Sequence, residues 1–195
     1  MEPVMTSPRT TALVALLITA CAVLYTASAA LTGWNPPLGW LIQSVIHIGE
    51  LLAVLALIRS PARPGVIART GLGAAILGQA TLAGAEVIWP RSPDLADALF
   101  AIGPTLTGVG LVVVGIPILR GRRWTGWRRF TPIAVGAYVF IVLTPTMIGS
   151  GGPPARAALW SIAGWDVLWA LMAIAVLTMA PTTGSASHPV KTRAS

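Results

Sequence analysis

The 195-residue chain is 55% hydrophobic and only 10% charged, with a mean hydropathy of +0.77. A soluble domain carries about 25% charged residues, so a chain this short and this apolar cannot cover its surface with polar groups and must face lipid. The net charge of +7 would suggest nucleic acid in a soluble protein, but here the basic residues lie between apolar runs, where they set membrane orientation. We therefore expect no nucleic-acid partner.

Six apolar stretches are long enough to cross a bilayer, which takes about 20 residues of α-helix. Connections rich in glycine and proline, such as 33–37 and 149–154, separate them because these residues interrupt helices. The sequence therefore predicts an all-α, polytopic transmembrane helical bundle of six spans within residues 1–180, followed by a disordered cytoplasmic tail at 181–195. The predicted spans cover about residues 11–31, 38–58, 66–89, 96–119, 130–148 and 157–179.

The first apolar stretch has a second interpretation. Arg9, the apolar run and the small residues Ala27 and Ala29 resemble a secretory signal peptide with its cleavage site, and cleavage would leave five spans. The run is longer than the roughly 7–15 apolar residues of a signal peptide, so we interpret it as a span.

Arginine and lysine are distributed unequally between the two sides of the predicted bundle. Of the 13 arginine and lysine residues, all except Arg91 and Arg156 fall on one side of the bundle. The positive-inside rule assigns that side to the cytoplasm. Tryptophans near the span ends indicate aromatic belts at the two interfaces, namely Trp34, Trp40, Trp89, Trp124, Trp127 and Trp160. The sequence thus predicts a multi-pass protein of the inner (plasma) membrane with both termini in the cytoplasm.

The second span carries polar residues on one helical face. Gln43, His47 and Glu50 follow at steps of four and three, which places their side chains on the same side of a helix. Glu50 lies nine residues before Arg59, or about 13 Å into the bilayer at 1.5 Å per residue. The sequence therefore predicts a carboxyl group close to the membrane midplane.

The third and sixth spans also carry polar residues. Gln79 and Glu86 are seven residues apart on the third span and share a face. On the sixth span, Asp166 lies ten residues after Arg156, beside Trp165 and one helical turn from Trp169. Ionisable groups inside a span cost about 2.5–3.5 kcal/mol each at mid-membrane, so they are candidates for function.

Three interpretations of these residues are open, and in one of them the side chains simply face separate places. In the structural one, His47 pairs with Glu50, while Glu86 and Asp166 are satisfied by hydrogen bonds between helices. In the functional one, all four line a shared polar pocket. No arginine or lysine lies at mid-membrane to keep the carboxyl groups ionised, which favours their protonated form and proton donation.

Several other chemistries do not fit the sequence. A retinal Schiff base needs a lysine within a span, and the only lysine is Lys191 in the tail. A metal site built from the four ionisable residues would have His47 as its single nitrogen ligand, which makes it weak. The chain has no glycine-rich nucleotide-binding loop with a lysine. We therefore expect no metal and no cofactor.

The layout resembles small six-span membrane proteins of unknown function from high-GC bacteria over the whole chain. The acidic residues among tryptophans are similar in kind to those of membrane terpene cyclases and emopamil-binding sterol isomerases. This second resemblance rests on His47, Glu50, Glu86, Asp166, Trp165 and Trp169. It implies a reaction class rather than family membership.

The leading hypothesis is a membrane-embedded, acid-catalysed cyclase or isomerase whose partners are the lipid bilayer and an apolar isoprenoid-type or sterol-like small molecule. Asp166 or Glu50 would donate the proton, and His47 or Glu86 would orient the acid or remove a proton. The remaining candidates form the substrate site: Trp165 and Trp169 stabilise a carbocation, and Gln43 and Gln79 line the walls. The alternatives are a proton-coupled small-molecule carrier and a non-catalytic membrane partner subunit.

Overall fold

The computed structural model describes residues 7–59, 65–121 and 124–179, and these residues form a bundle of six long helices. The six are Pro8–Thr32, Gly39–Ile58, Val66–Ile88, Pro93–Arg120, Gly126–Ser150 and Arg156–Leu177, named the first to sixth spans below. Each is long and apolar enough to cross a membrane. Side chains such as Ile141, which is 74% exposed in mid-helix, suit a lipid environment and not water. The chain is therefore a polytopic α-helical membrane protein, as predicted.

The six spans form a ring in chain order. Each span packs against the next along the sequence, and contacts between the first and sixth spans close the ring. The sixth span also contacts the second, and half of its most apolar stretch is buried inside the bundle. This arrangement points one face of every helix toward a common interior.

The third and fourth spans approach each other most closely because glycines line their contact. A Cβ atom built on Gly71 would lie 2.6 Å from the carbonyl oxygen of Gly110, and one on Gly78 would lie 2.6 Å from that of Gly103. Real Cβ atoms are not found at such distances from backbone, so only glycine allows this separation. Small residues at helix contacts are the usual basis of close packing in membranes.

Replacing Gly78 by alanine is expected to lower the free energy of unfolding by about 1–3 kcal/mol, because overpacking against backbone forces the two spans apart. Gly84→Ala is the matched control on the same helix, since a Cβ there would meet nothing within 4 Å. Thermal unfolding in detergent, followed by tryptophan fluorescence, measures both variants. Equal melting temperatures for the two variants would contradict the close packing at Gly78.

Proline shapes the fourth and fifth spans differently. The fourth span remains one α-helix through Pro104 and Pro117. The fifth begins with the 3₁₀ turn Gly126–Phe130, continues as α-helix and contains a π-helical stretch at Val139–Leu143, immediately before Pro145. Since proline has no N–H and its ring clashes with the carbonyl four residues earlier, a wider turn accommodates it. The fifth span therefore accommodates Pro145 by a π-helical stretch that ends two residues before it.

Basic residues join the span ends on one side of the bundle. The Arg59 guanidinium donates to Thr11 Oγ1 over 3.4 Å, and that of Arg128 donates to the Thr178 carbonyl oxygen over 3.1 Å. Trp124, predicted to lie in an aromatic belt, is instead 4% exposed and packs in the core. The tail at 181–195, with Arg63, Arg122 and Arg123, lies outside the described residues.

Candidate functional site: a polar layer in the bundle interior

Five polar side chains lie in the bundle interior, four of them near the middle of their helices and Thr26 about three-quarters of the way along the first span. They come from the first, second, third, fourth and sixth spans, each is at most 2% exposed, and we call them the polar layer: Thr26, Glu50, Gln79, Thr107 and Asp166. Glu50 is the twelfth of the 20 residues of its helix, and Asp166 is the eleventh of 22. The polar layer therefore lies near the membrane midplane.

Asp166 is held by the first span. Thr26 donates its hydroxyl hydrogen to Asp166 Oδ2 over 2.9 Å. Thr26 belongs to a stripe of small buried residues, which lets the first span pack along the sixth; the stripe also contains Ala12, Ala15, Thr19, Ala22 and Ala30. Asp166 is also close enough to Glu50 for an electrostatic interaction between the two carboxyl groups.

His47 and Glu50 form a pair on the second span. Their spacing of three residues brings His47 Nδ1 within 2.9 Å of Glu50 Oε2. Gln79 is a polar neighbour of both residues, and its Nε2 donates to Thr107 Oγ1 over 3.4 Å. The polar layer thus continues from the second span through the third to the fourth.

Glu86 and Gln43 lie outside the layer, toward the end of the bundle that carries Arg91. Glu86 is half-buried and interacts electrostatically with His47 and with Tyr25 of the first span. Gln43 is half-buried one turn before His47. Glu86, His47 and Glu50 therefore form a file of titratable groups that leads from this end of the bundle toward the midplane.

Two tryptophans pack inside the bundle beside Asp166. The rings of Trp165 and Trp169 meet edge to face, with centroids 5.9 Å apart, and both side chains are at most 3% exposed. Among the described residues, neither indole N–H has an acceptor, and neither Glu50 Oε1 nor Gln79 Oε1 has a donor. Two donors and two acceptors in the interior therefore have no hydrogen-bond partner among the described residues.

The fifth span supports the sixth from the other side. Tyr138, just before the π-helical stretch, donates its hydroxyl to the Ser161 carbonyl oxygen over 3.1 Å. Its hydroxyl also packs against Gly164, where a Cβ atom would collide with it. Tyr138 is near enough to Asp166 to interact electrostatically, so this contact positions the helix that carries Asp166.

The structure brings most of the predicted site residues together. Glu50, Gln79 and Asp166 lie in the polar layer, His47 is bonded to it, and Trp165 and Trp169 are buried beside it. Thr26 and Thr107 were missed by sequence reasoning. The predicted His47–Glu50 pair is present, and Asp166 has the inter-helix hydrogen bond that the structural interpretation requires.

The ionisable residues are spread out and not clustered around a point. Within the three described ranges, no group of three His, Cys, Asp or Glu side chains is close enough together to hold a metal ion. The described interior thus offers carboxyl groups on separate helices, whose chemistry is proton binding and hydrogen bonding.

Comparisons of the chain with protein-family models, with curated proteins and with solved structures find no match. The side chains of the polar layer are therefore the basis for assigning a function.

Proposed function

We propose that the protein is a membrane-embedded enzyme that protonates an alkene or epoxide of an isoprenoid or sterol-like lipid and releases an isomer or a cyclised product. One observation carries the proposal: two buried carboxyl groups, Asp166 and Glu50, lie near the middle of two spans that contact each other, and two buried indole rings pack beside Asp166. No arginine or lysine lies more than one helical turn inside any span. A carboxyl group in such surroundings favours its neutral form, which carries the proton that general acid catalysis needs.

Asp166 suits the role of acid. Asp166 lies in the middle of the sixth span and is 2% exposed, and the second span, which carries buried Glu50, packs against the sixth. The hydrogen bond from Thr26 fixes one oxygen of Asp166 and leaves the other as the proton donor. The edge-to-face pair of Trp165 and Trp169 offers π-electron density to a carbocation formed next to the acid.

His47 and Glu86 supply the proton route in this proposal. The carbocation loses a proton to the His47 imidazole, which gives the neutral isomer or cyclised product. His47 then passes a proton to Glu50 across their 2.9 Å contact, and Glu50 restores the proton that Asp166 gave up. Glu86 interacts with His47 from the side nearer the bundle surface. An imidazole suits such a relay because it exchanges protons near neutral pH.

Turnover assays test the proposed activity. The purified protein in lipid nanodiscs is incubated with isoprenoid alcohols, alkenes and epoxides in D₂O, and products are analysed by gas chromatography and mass spectrometry. An alkene substrate is expected to give an isomeric or cyclic product with one carbon-bound deuterium from the solvent. Absence of turnover for every compound, together with a markedly unstable Asp166→Asn variant, would favour the non-catalytic partner subunit.

A proton-coupled small-molecule carrier is the second candidate, and the file of Glu86, His47 and Glu50 is the observation that favours it. Titratable groups leading from one end of a bundle to the midplane are typical of proton-driven transport. Proteoliposomes with an imposed pH gradient distinguish the two functions, since a carrier accumulates its substrate unchanged and an enzyme converts it.

We also propose that the bundle end carrying Arg59 and Arg128 faces the cytoplasm of a cell with this protein in its inner membrane. The excess of basic residues at that end supports this orientation. Cys21 is exposed and is first replaced by serine. A cysteine at exposed Thr125 is then expected to resist membrane-impermeant thiol reagents in intact cells, whereas one at Ser92 reacts. Labelling at Thr125 before permeabilisation would reverse the assignment.

A further inference from the structure

A cleft opens where the fourth span ends and the fifth begins. Its volume is about 360 Å³, and it is lined by Leu119, Arg120, Gly121, Trp124, Thr125, Gly126 and Arg129. Gly126 has a φ of +62°, a left-handed conformation that glycine adopts without strain, and it turns the chain from extended Thr125 into the fifth span. The two arginines thus reach the same cleft from two different spans.

Every charged residue that lines the cleft is positively charged. The five acidic residues in the described part of the chain lie elsewhere: Glu50 and Asp166 in the polar layer, and Glu86, Asp94 and Asp97 toward the opposite end. Arg129 stacks on the Phe130 ring, with its guanidinium carbon 4.8 Å from the centroid, which fixes part of its side chain. An anion that balances these two charges must therefore come from outside the described part of the chain.

Trp124 forms one wall of the cleft. Its side chain is 4% exposed, and its indole N–H has no acceptor among the described residues. A guanidinium presents its N–H groups in a planar fork that matches the oxygens of a phosphate group. Two such forks in one cleft at the end of a transmembrane bundle suit a phosphate ester, because its oxygens can accept hydrogen bonds from both guanidinium groups.

We propose that this cleft binds the phosphate group of an anionic phospholipid headgroup, held between Arg120 and Arg129. This site is independent of the polar layer and of the proposed enzymatic activity. The lipid's acyl chains would lie along the outer surfaces of the fourth and fifth spans, where Ile116 and Phe140 are exposed. The same phosphate chemistry could be supplied by a free phosphate ion, and the test separates the two sources.

Native mass spectrometry of the full chain measures binding of phosphatidylglycerol, with phosphatidylcholine as the zwitterionic comparison and inorganic phosphate as the soluble anion. Arg120→Gln and Arg129→Gln are each expected to weaken phosphatidylglycerol binding about five- to tenfold. Arg69→Gln is the matched control, because this exposed arginine lies at the same end of the bundle but outside the cleft. It is expected to leave binding unchanged.

The outcomes separate a specific site from general attraction to basic residues. Equal weakening by Arg69→Gln and Arg120→Gln would overturn the proposal, as would equal affinity for phosphatidylcholine. If inorganic phosphate competes with the lipid at equal affinity, the cleft is a site for free phosphate and the lipid assignment is wrong. The melting temperature of each variant is measured as the control for folding. The three melting temperatures can be compared directly, because each variant replaces an arginine with the same uncharged residue.

Discussion

Replacing Asp166 by asparagine is expected to abolish turnover while leaving the protein folded. Asparagine keeps the shape of the side chain and a carbonyl oxygen that can accept the hydrogen bond from the Thr26 hydroxyl, whose oxygen lies 2.9 Å from Asp166 Oδ2 in the unmodified protein. It has no carboxylic proton to donate. General acid catalysis contributes about 10²–10⁴-fold to rates, and a reaction with no second proton source would lose at least that factor. Product formation per unit of folded protein measures the loss.

Two further variants make the Asp166 result interpretable. Asp97→Asn makes the same chemical change at an exposed position on the fourth span and is expected to leave turnover unchanged. Thr26→Val removes the hydroxyl that bonds Asp166 but retains the carboxyl proton, so turnover is expected to fall only severalfold. An Asp166→Asn protein that melts far below the unmodified protein, with turnover lost only in proportion to folding, would make Asp166 a structural residue.

The six spans could be predicted from the sequence because lipid imposes a simple rule on length and polarity. Each predicted span end lies within four residues of the corresponding helix end. Glu50 and Asp166 could also be identified, because a carboxyl group in an apolar run is conspicuous and costly. Their mutual approach was one of the alternatives that the sequence left open, since the choice depends on how the second and sixth spans pack against each other.

Thr26 and Thr107 were missed because threonine is unremarkable inside a membrane helix. Its hydroxyl commonly bonds the carbonyl of the preceding turn, as Thr19 does with Ala15, so it gives no sign of a partner on another helix. A usable signal was nevertheless present. Small residues recur at steps of three and four around Thr26, and Thr107 lies between Gly103 and Gly110 at the same steps. Such stripes indicate faces where helices come close together.

Two features of the fifth span and its preceding loop could not be predicted from the sequence, for other reasons. A proline predicts an interruption but not its form, and the π-helical stretch before Pro145 depends on how the helix packs. Trp124 was assigned to an aromatic belt because it follows a span end. The chain folds back at this point instead and buries its indole against the core, where it forms a wall of the arginine cleft.

Variants of the His47–Glu50 pair distinguish a structural contribution of these two residues from a catalytic one. Glu50 is completely buried, with Oε2 bonded to His47 and Oε1 without a donor among the described residues. Removing the imidazole leaves a buried carboxyl group with fewer partners. Such a loss costs about 1–3 kcal/mol for a neutral group and about 3–5 kcal/mol when a charge loses its buried partner. His47→Leu is therefore expected to be clearly less stable than the unmodified protein.

The double variant His47→Leu, Glu50→Met removes both polar groups and replaces them with apolar side chains of similar volume. It is expected to regain stability to within about 1 kcal/mol of the unmodified protein, because replacing a whole buried pair by apolar residues is often neutral. Turnover is not expected to return, since the route that supplies protons to Asp166 has been removed. Thermal unfolding in detergent and the deuterium-incorporation assay measure the two effects separately. Recovery of stability together with full turnover would show that the pair only fills the interior, and Asp166 would then need another source of protons.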